Sequence, residues 1–283
     1  MNLSELFLTF PEMSKESLRM FRKSVDGAYR NFSREYGDTI EAVFDPVLYF
    51  LVWFEKLLQN SPWPLIILAI LILVYLGSRS IYLTIGSLIA LLLIGYFGMW
   101  EDTMSTVSII GVCTFMSIGL GIPIGIAMSN SDRARAAITP ILDVMQTMPS
   151  FVYLIPVVML LGIGKIPGLL AVIIYAIPPI IRLTDLGIRE VDKEVLEAAD
   201  AFGANKAQKL FRVQLPLALP TIFAGINQTI MMAVAMVVIA SMIGVKGLGQ
   251  PVLKAITNQY FTMGLLNGLA IVALAIIFDR VSQ

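Results

Sequence analysis

The residues that usually carry covalent chemistry are scarce in this chain. Its 283 residues include no histidine and one cysteine, Cys113. The commonest general base and the commonest metal ligand are therefore missing. Neither an intrachain disulfide nor a cysteine metal cluster can form. Cys113 lies in an apolar run and reads as a small buried hydrophobe. There is no Gly-x-x-x-x-Gly-Lys-Ser/Thr loop, because Gly164-Lys165 is followed by Ile166. The chain thus cannot cradle nucleotide phosphates in that way. Energy for any work must come from another subunit or from an ion gradient.

One stretch reads instead as recognition chemistry: EAADAFGANKAQKLFRVQLPLALP, from Glu197 to Pro220. Upstream, Asp192 and Glu194 mark a helix start, where the dipole favours acids. Val191, Val195, Ala198 and Phe202 recur at helical spacing and form one apolar stripe. Gly203 is placed to end that helix in a left-handed turn. Asn205 and Gln208 form an Asn-x-x-Gln variant of the capping box and open a second helix. That helix is predicted to close at Leu215-Pro216, because proline removes a ladder hydrogen bond. Two short helices lying nearly flat would offer a partner a compact, partly apolar knob. An ordinary helical loop is the alternative.

The elements that position this insert are membrane elements. The chain is 57% hydrophobic and 14% charged, against about 25% charged in soluble domains. Net charge is zero, so no global field points to nucleic acid. About seven spans are predicted, at roughly 62–78, 81–100, 104–128, 139–162, 166–183, 217–243 and 261–279. Lipid leaves no backbone group unpaired, so they must be helices. Arg79, Arg133, Arg135, Arg182, Arg189, Lys193, Lys206, Lys209, Arg212 and Arg280 fall on one side. Lys165, Lys246 and Lys254 fall on the other, beside Glu101 and Asp102. The positive-inside rule makes the first side cytoplasmic and puts the N-terminus outside.

Residues 1–60 form a mixed-charge tail, and MNLSELFLTFPEM lacks the pattern of a signal peptide. The run Glu41–Asn60 is amphipathic. It suits either the headgroup region or the protein's own flank. The domain reading is a tail at 1–60 and a transmembrane domain at 61–283, with the insert at about 189–216.

The spacing in the insert is Glu-Ala-Ala, three residues, Gly, nine residues, an aliphatic residue, one residue, Leu-Pro. Here these are Glu197, Ala198, Ala199, Gly203, Val213, Leu215 and Pro216, with Asp200 directly after the alanines. This resembles the EAA signature of ABC importer permeases; Val213 stands where that family often has isoleucine. PILDVMQTMPSFVYLIPVVMLLGIGKIPG (140–168), AIPPIIRLTDLGI (176–188) and INQTIMMAVAMVVIASMIGVKGLGQ (226–250) look like its betaine-type subfamily. The resemblance covers about 62–283 and leaves out the tail.

The resemblance implies an all-α, multi-pass permease of type I importer architecture in a bacterial inner membrane. It implies a homodimer seated on a pair of ATP-hydrolysing subunits, which carry the ATP and magnesium; this chain binds no cofactor. A separate substrate-binding protein would deliver glycine betaine or proline betaine. The insert would be the coupling helix, docking into a cleft of the ATPase. The rivals are the same machinery carrying trimethylamine N-oxide, choline, carnitine or proline, and an ion-driven carrier or channel. An intramembrane enzyme comes third, because paired intramembrane acids are lacking as well as histidine.

Polar groups within the spans have two readings. Asp143 either pairs with Arg133, Arg135 or Arg182 or serves transport. Gln146, Asn227 and Gln228 either bond helix to helix or line the path. A quaternary ammonium cargo calls for aromatic rings, which makes Phe151, Tyr153 and Tyr175 path candidates; Met148 is a further one. Pro123, Pro149, Pro156, Pro178 and Pro179 are predicted to break helical ladders. Gly119, Gly121 and Gly125 permit close helix approach, either in a dimer interface or at a moving one.

Overall fold

The computed structural model describes residues 12–282. The opening residues compared above with a signal peptide, up to Pro11, lie outside the described residues. Helix α1 (Lys15–Asn60) is followed by α2 (Trp63–Ser78), α3 (Ile81–Tyr96), α4 (Trp100–Asn130) and α5 (Asp132–Thr147). A tight helical turn at Ser150–Tyr153 leads into α6 (Leu154–Leu161), and α7 (Lys165–Ala176) runs into α8 (Pro178–Arg189). Next come α9 (Lys193–Ala201), α10 (Lys206–Lys209), a wide turn at Leu210–Gln214 and α11 (Leu215–Ala240). Helices α12 (Gly249–Asn258) and α13 (Phe261–Ser282) complete the described chain, in which no strand occurs.

Each predicted span has a helical counterpart, but only four are unbroken and long enough to cross: Trp100–Asn130, Lys165–Arg189, Lys206–Ile243 and Phe261–Ser282. Helices α2 and α3 have 16 residues each, about 24 Å at the helical rise, short of the ~30 Å hydrocarbon core. The predicted span 139–162 is broken: α5 and the segment Ser150–Leu161 meet at 113°. Helix α1 meets α2 at 110°, so the two are nearly perpendicular.

The combined α7–α8 span is the centre of the fold. In its most apolar window 72% of the residues are buried, against 22% for α13. Glycines set its spacing. A Cβ on Gly125 of α4 would stand 2.6 Å from Thr184 Cβ and 2.7 Å from the Ile181 carbonyl. On the other flank, a Cβ on Gly225 of α11 would stand 3.1 Å from Leu183 Cβ. Gly187 of α8 faces Thr221 in the same way at 2.9 Å. Gly121 and Gly125 thus serve packing within one chain. An inner core of Met128, Leu142, Ile180, Ile181, Ile188 and Ile222 fills the space beneath these crossings.

The predicted prolines differ in what they do to their helices. Pro123 lies inside unbroken α4, and Pro156 lies within α6. Pro178 and Pro179 open α8 without cutting the span, because the Ile177 N–H still bonds the Ile173 carbonyl at 3.0 Å. One missing donor costs a packed helix little when neighbouring helices hold it on both sides. Pro149 does coincide with a break, since Met148 before it is extended (ψ 133°), as a pre-proline residue prefers.

Candidate functional site

The inner knob is built from local rules. Asp192 caps α9 by accepting from the Glu194 N–H at 2.9 Å. At the other end the Ala204 N–H reaches the Ala199 carbonyl at 3.0 Å, and the Gly203 N–H reaches the Asp200 carbonyl at 2.9 Å. These two bonds form a Schellman motif, and Gly203 holds the required left-handed position at φ +76°. Asn205 and Gln208 exchange side chain and backbone bonds at 2.9 Å each way, closing the predicted capping box. Lys209 pairs with Asp200 across the turn.

The apolar stripe faces away from this chain: Val191 is buried, but Val195 is exposed and Phe202 is 93% exposed. Glu197, Ala198, Asp200 and Gly203 lie on the exposed surface, with Ala199 half-buried.

Leu215-Pro216 does not end a helix, contrary to the sequence reading. The turn at Leu210–Gln214 widens so that the Leu215 N–H bonds the Leu210 carbonyl, five residues back. Pro216 then falls in the first turn of α11, where its missing donor is not needed. The second half of the knob is therefore continuous with a membrane helix from Lys206 to Ile243.

Beneath the knob lies a charged hub that the sequence reading missed. Asp185 of α8 is 4% exposed. Its carboxylate meets Arg135 Nε at 3.1 Å and Arg189 Nε at 2.9 Å. Arg189 also donates to Asp132 Oδ1 and to the Met128 carbonyl, each at 2.8 Å. The hub ties α4, α5 and α8 together three residues before α9. The Asp185/Arg189 spacing of four, next to the insert, was the available signal. Asp143 pairs with Arg182, one of its three predicted partners.

On the opposite face Glu55, Lys56, Glu101, Asp102, Lys165 and Lys246 help line a cleft of about 490 Å³. The hub holds Arg135 and Arg189 of the first predicted basic set, and the cleft holds Lys165 and Lys246 of the second.

The broken span carries most of the path candidates. The Tyr153 hydroxyl donates to the Met145 carbonyl across the break, and its ring meets Tyr175 edge-on at 5.7 Å. Met148 packs against the same core cluster as these rings. Gln146 and Phe151 lie on the exposed surface of the bend. Asn227 is engaged elsewhere: its amide donates to Asp279 Oδ1 at 2.9 Å and its carbonyl accepts from Ser282 at 2.7 Å, both on α13. Gln228 beside it is exposed.

The family model for "Binding-protein-dependent transport system inner membrane component" matches residues 117–283, which include the broken span, the hub and the knob. The chain belongs to this family. The permease is 47% identical to the glycine betaine/proline betaine transport system permease protein ProW of Escherichia coli (strain K12). That match runs over 238 residues, 84% of this chain and 67% of that protein. It is 48% identical to the glycine betaine transport system permease protein OpuAB of Bacillus subtilis (strain 168), over 74% of this chain and 73% of that protein.

Among solved structures, the permease superposes on a chain of the MetNI methionine ABC transporter in an inward-facing conformation. The TM-score is 0.57 at 20% identity, covering 65% of this chain and 92% of that one. The fold is thus that of an ABC importer permease, and the permease is an inner membrane transport component.

Proposed function

We propose that this chain is the permease subunit of an ATP-driven importer for a small zwitterionic or quaternary-ammonium osmolyte of the betaine class. The observation that carries the proposal is the knob. It presents an almost fully exposed phenylalanine on a well-capped turn, joined without interruption to a membrane-crossing helix. Such an apolar anchor suits a pocket on a partner, and a continuous helix can transmit what the partner does.

In this reading the partners are a pair of ATPase subunits, which hold the ATP and magnesium, a substrate-binding protein on the outer side and a second copy of the permease. The permease itself catalyses nothing and binds no cofactor. Glu197, Ala198, Ala199, Asp200 and Gly203 form the docking surface, with Leu215 and Pro216 setting its exit.

Cargo follows from the relatives' names and from two features of the chain. The outer cleft carries charges of both signs, which suits a zwitterion. Phe151 at the break exposes its ring to a quaternary ammonium, with the edge-on pair Tyr153 and Tyr175 packed in the core as further candidates. Gln146, Met148 and Gln228 complete the path. Asn227 contributes by joining α11 to α13.

The test is reconstitution in proteoliposomes with the cognate ATPase and binding protein. Uptake of labelled glycine betaine should require ATP inside and survive an uncoupler. Uptake that collapses with the uncoupler and persists after ATP depletion would assign the permease to ion-driven carriers. Competition by choline, carnitine, proline or trimethylamine N-oxide ranks the cargo.

A further inference from the structure

The family match begins at residue 117 and leaves α1 without a role. Two groups of polar contacts join α1 to the permease core. In the first, the Tyr29 hydroxyl donates to the Pro156 carbonyl, and the Ser33 hydroxyl lies 3.2 and 3.1 Å from the Met159 and Leu160 carbonyls. Gly37 allows this approach, since a Cβ there would stand 3.3 Å from the Leu160 oxygen. Helix α6 has only eight residues. The last carbonyls of a helix lack internal donors, and water cannot replace them inside a bilayer. At Met159 and Leu160, α1 therefore supplies a hydrogen bond that α6 cannot make for itself, and at Pro156, earlier in the helix, Tyr29 adds a second tie.

In the second group Glu55, 7% exposed, pairs with Lys165, the first residue of α7, and accepts from Ser105 of α4 at 2.8 Å. Gln59 donates to the same Ser105 hydroxyl at 3.0 Å. Between the two grips lies the turn Gly162–Gly164, with Gly162 at φ +77°. Two glycines would leave such a turn free to swing.

We propose that α1 is a strap: Tyr29, Ser33 and Glu55 are positioning residues that lock α6, the glycine turn and the start of α7 into one block during the transport cycle. The cycle itself rests on the function proposed above. The paired change Tyr29→Phe with Ser33→Ala removes both hydroxyls and adds no bulk. Amide hydrogen exchange across residues 154–164 should then rise about tenfold or more, with the rest of the chain unchanged. Betaine uptake in the full reconstituted transporter should fall several-fold at unchanged KM. At the second grip, Glu55→Lys or Lys165→Glu alone should lower uptake, and the double reversal should restore most of it.

Unchanged exchange at 154–164, faster exchange without loss of uptake, or a double reversal no better than either single change would each overturn the strap. The exchange measurement needs no cargo. A wild-type permease that imports no betaine would therefore defeat the transport reading separately.

Discussion

Gly203 and Phe202 separate two jobs done by adjacent residues. At φ +76° a side chain with a Cβ is strained by about 1–2 kcal/mol. Open space surrounds the position, so no clash adds to that cost. Gly203→Val should therefore leave the membrane helices folded but tilt the knob. Uptake per ATP hydrolysed should drop in proteoliposomes, while purified yield changes little. Phe202→Ala removes a ring that this chain does not bury. The thermal midpoint of the isolated permease should not move, whereas affinity for the ATPase subunit should fall roughly 30-fold if the ring is a central anchor; a pull-down titration measures both variants. Features set by near neighbours were legible in the sequence. Gly203, the Asn205/Gln208 box and the acidic helix start at Asp192 all act within five residues. Glu55 was not legible as an anchor, because Lys165 lies 110 residues away and leaves no local pattern; at Asp185 only the spacing to Arg189 was local, and the tie to Arg135 was not.

Helix α8 packs between α4 and α11, so changes there should propagate. Gly125→Val would force a side chain against Thr184 and the Ile181 carbonyl. Overpacking of this kind costs about 1–3 kcal/mol or more, and it should appear as a lower thermal midpoint in detergent. Asp185→Asn keeps the shape but gives up the charge that holds Arg135 and Arg189. Stability should fall by about 1–3 kcal/mol, and uptake should fall further than ATP hydrolysis, because α4 and α5 would no longer follow the knob. Comparing the two rates checks this. Spans were legible at this scale because apolar length alone identifies them. Pro216 misled the sequence reading: a proline removes a donor, but only the fold decides whether a widened turn absorbs the loss.

For the whole molecule, the bend between α5 and α6 leaves Asp143, Gln146 and Thr147 exposed within a single chain. Hydrocarbon would penalise such groups, so water or a second permease must cover them. With Cys113 buried, Gln146→Cys offers a clean probe. Oxidation in membranes should yield a disulfide-linked pair if the bends face one another, and gel mobility reports it. The unbroken run from Lys206 to Ile243 spans 38 residues, about 57 Å at the helical rise. A stiff rod of that reach magnifies whatever turns its inner end: a tilt of about 5° would sweep the far tip by about 5 Å. The leverage exists because one extra residue loosens the turn ahead of Pro216; a tighter turn there would put a joint where the machine needs an axle.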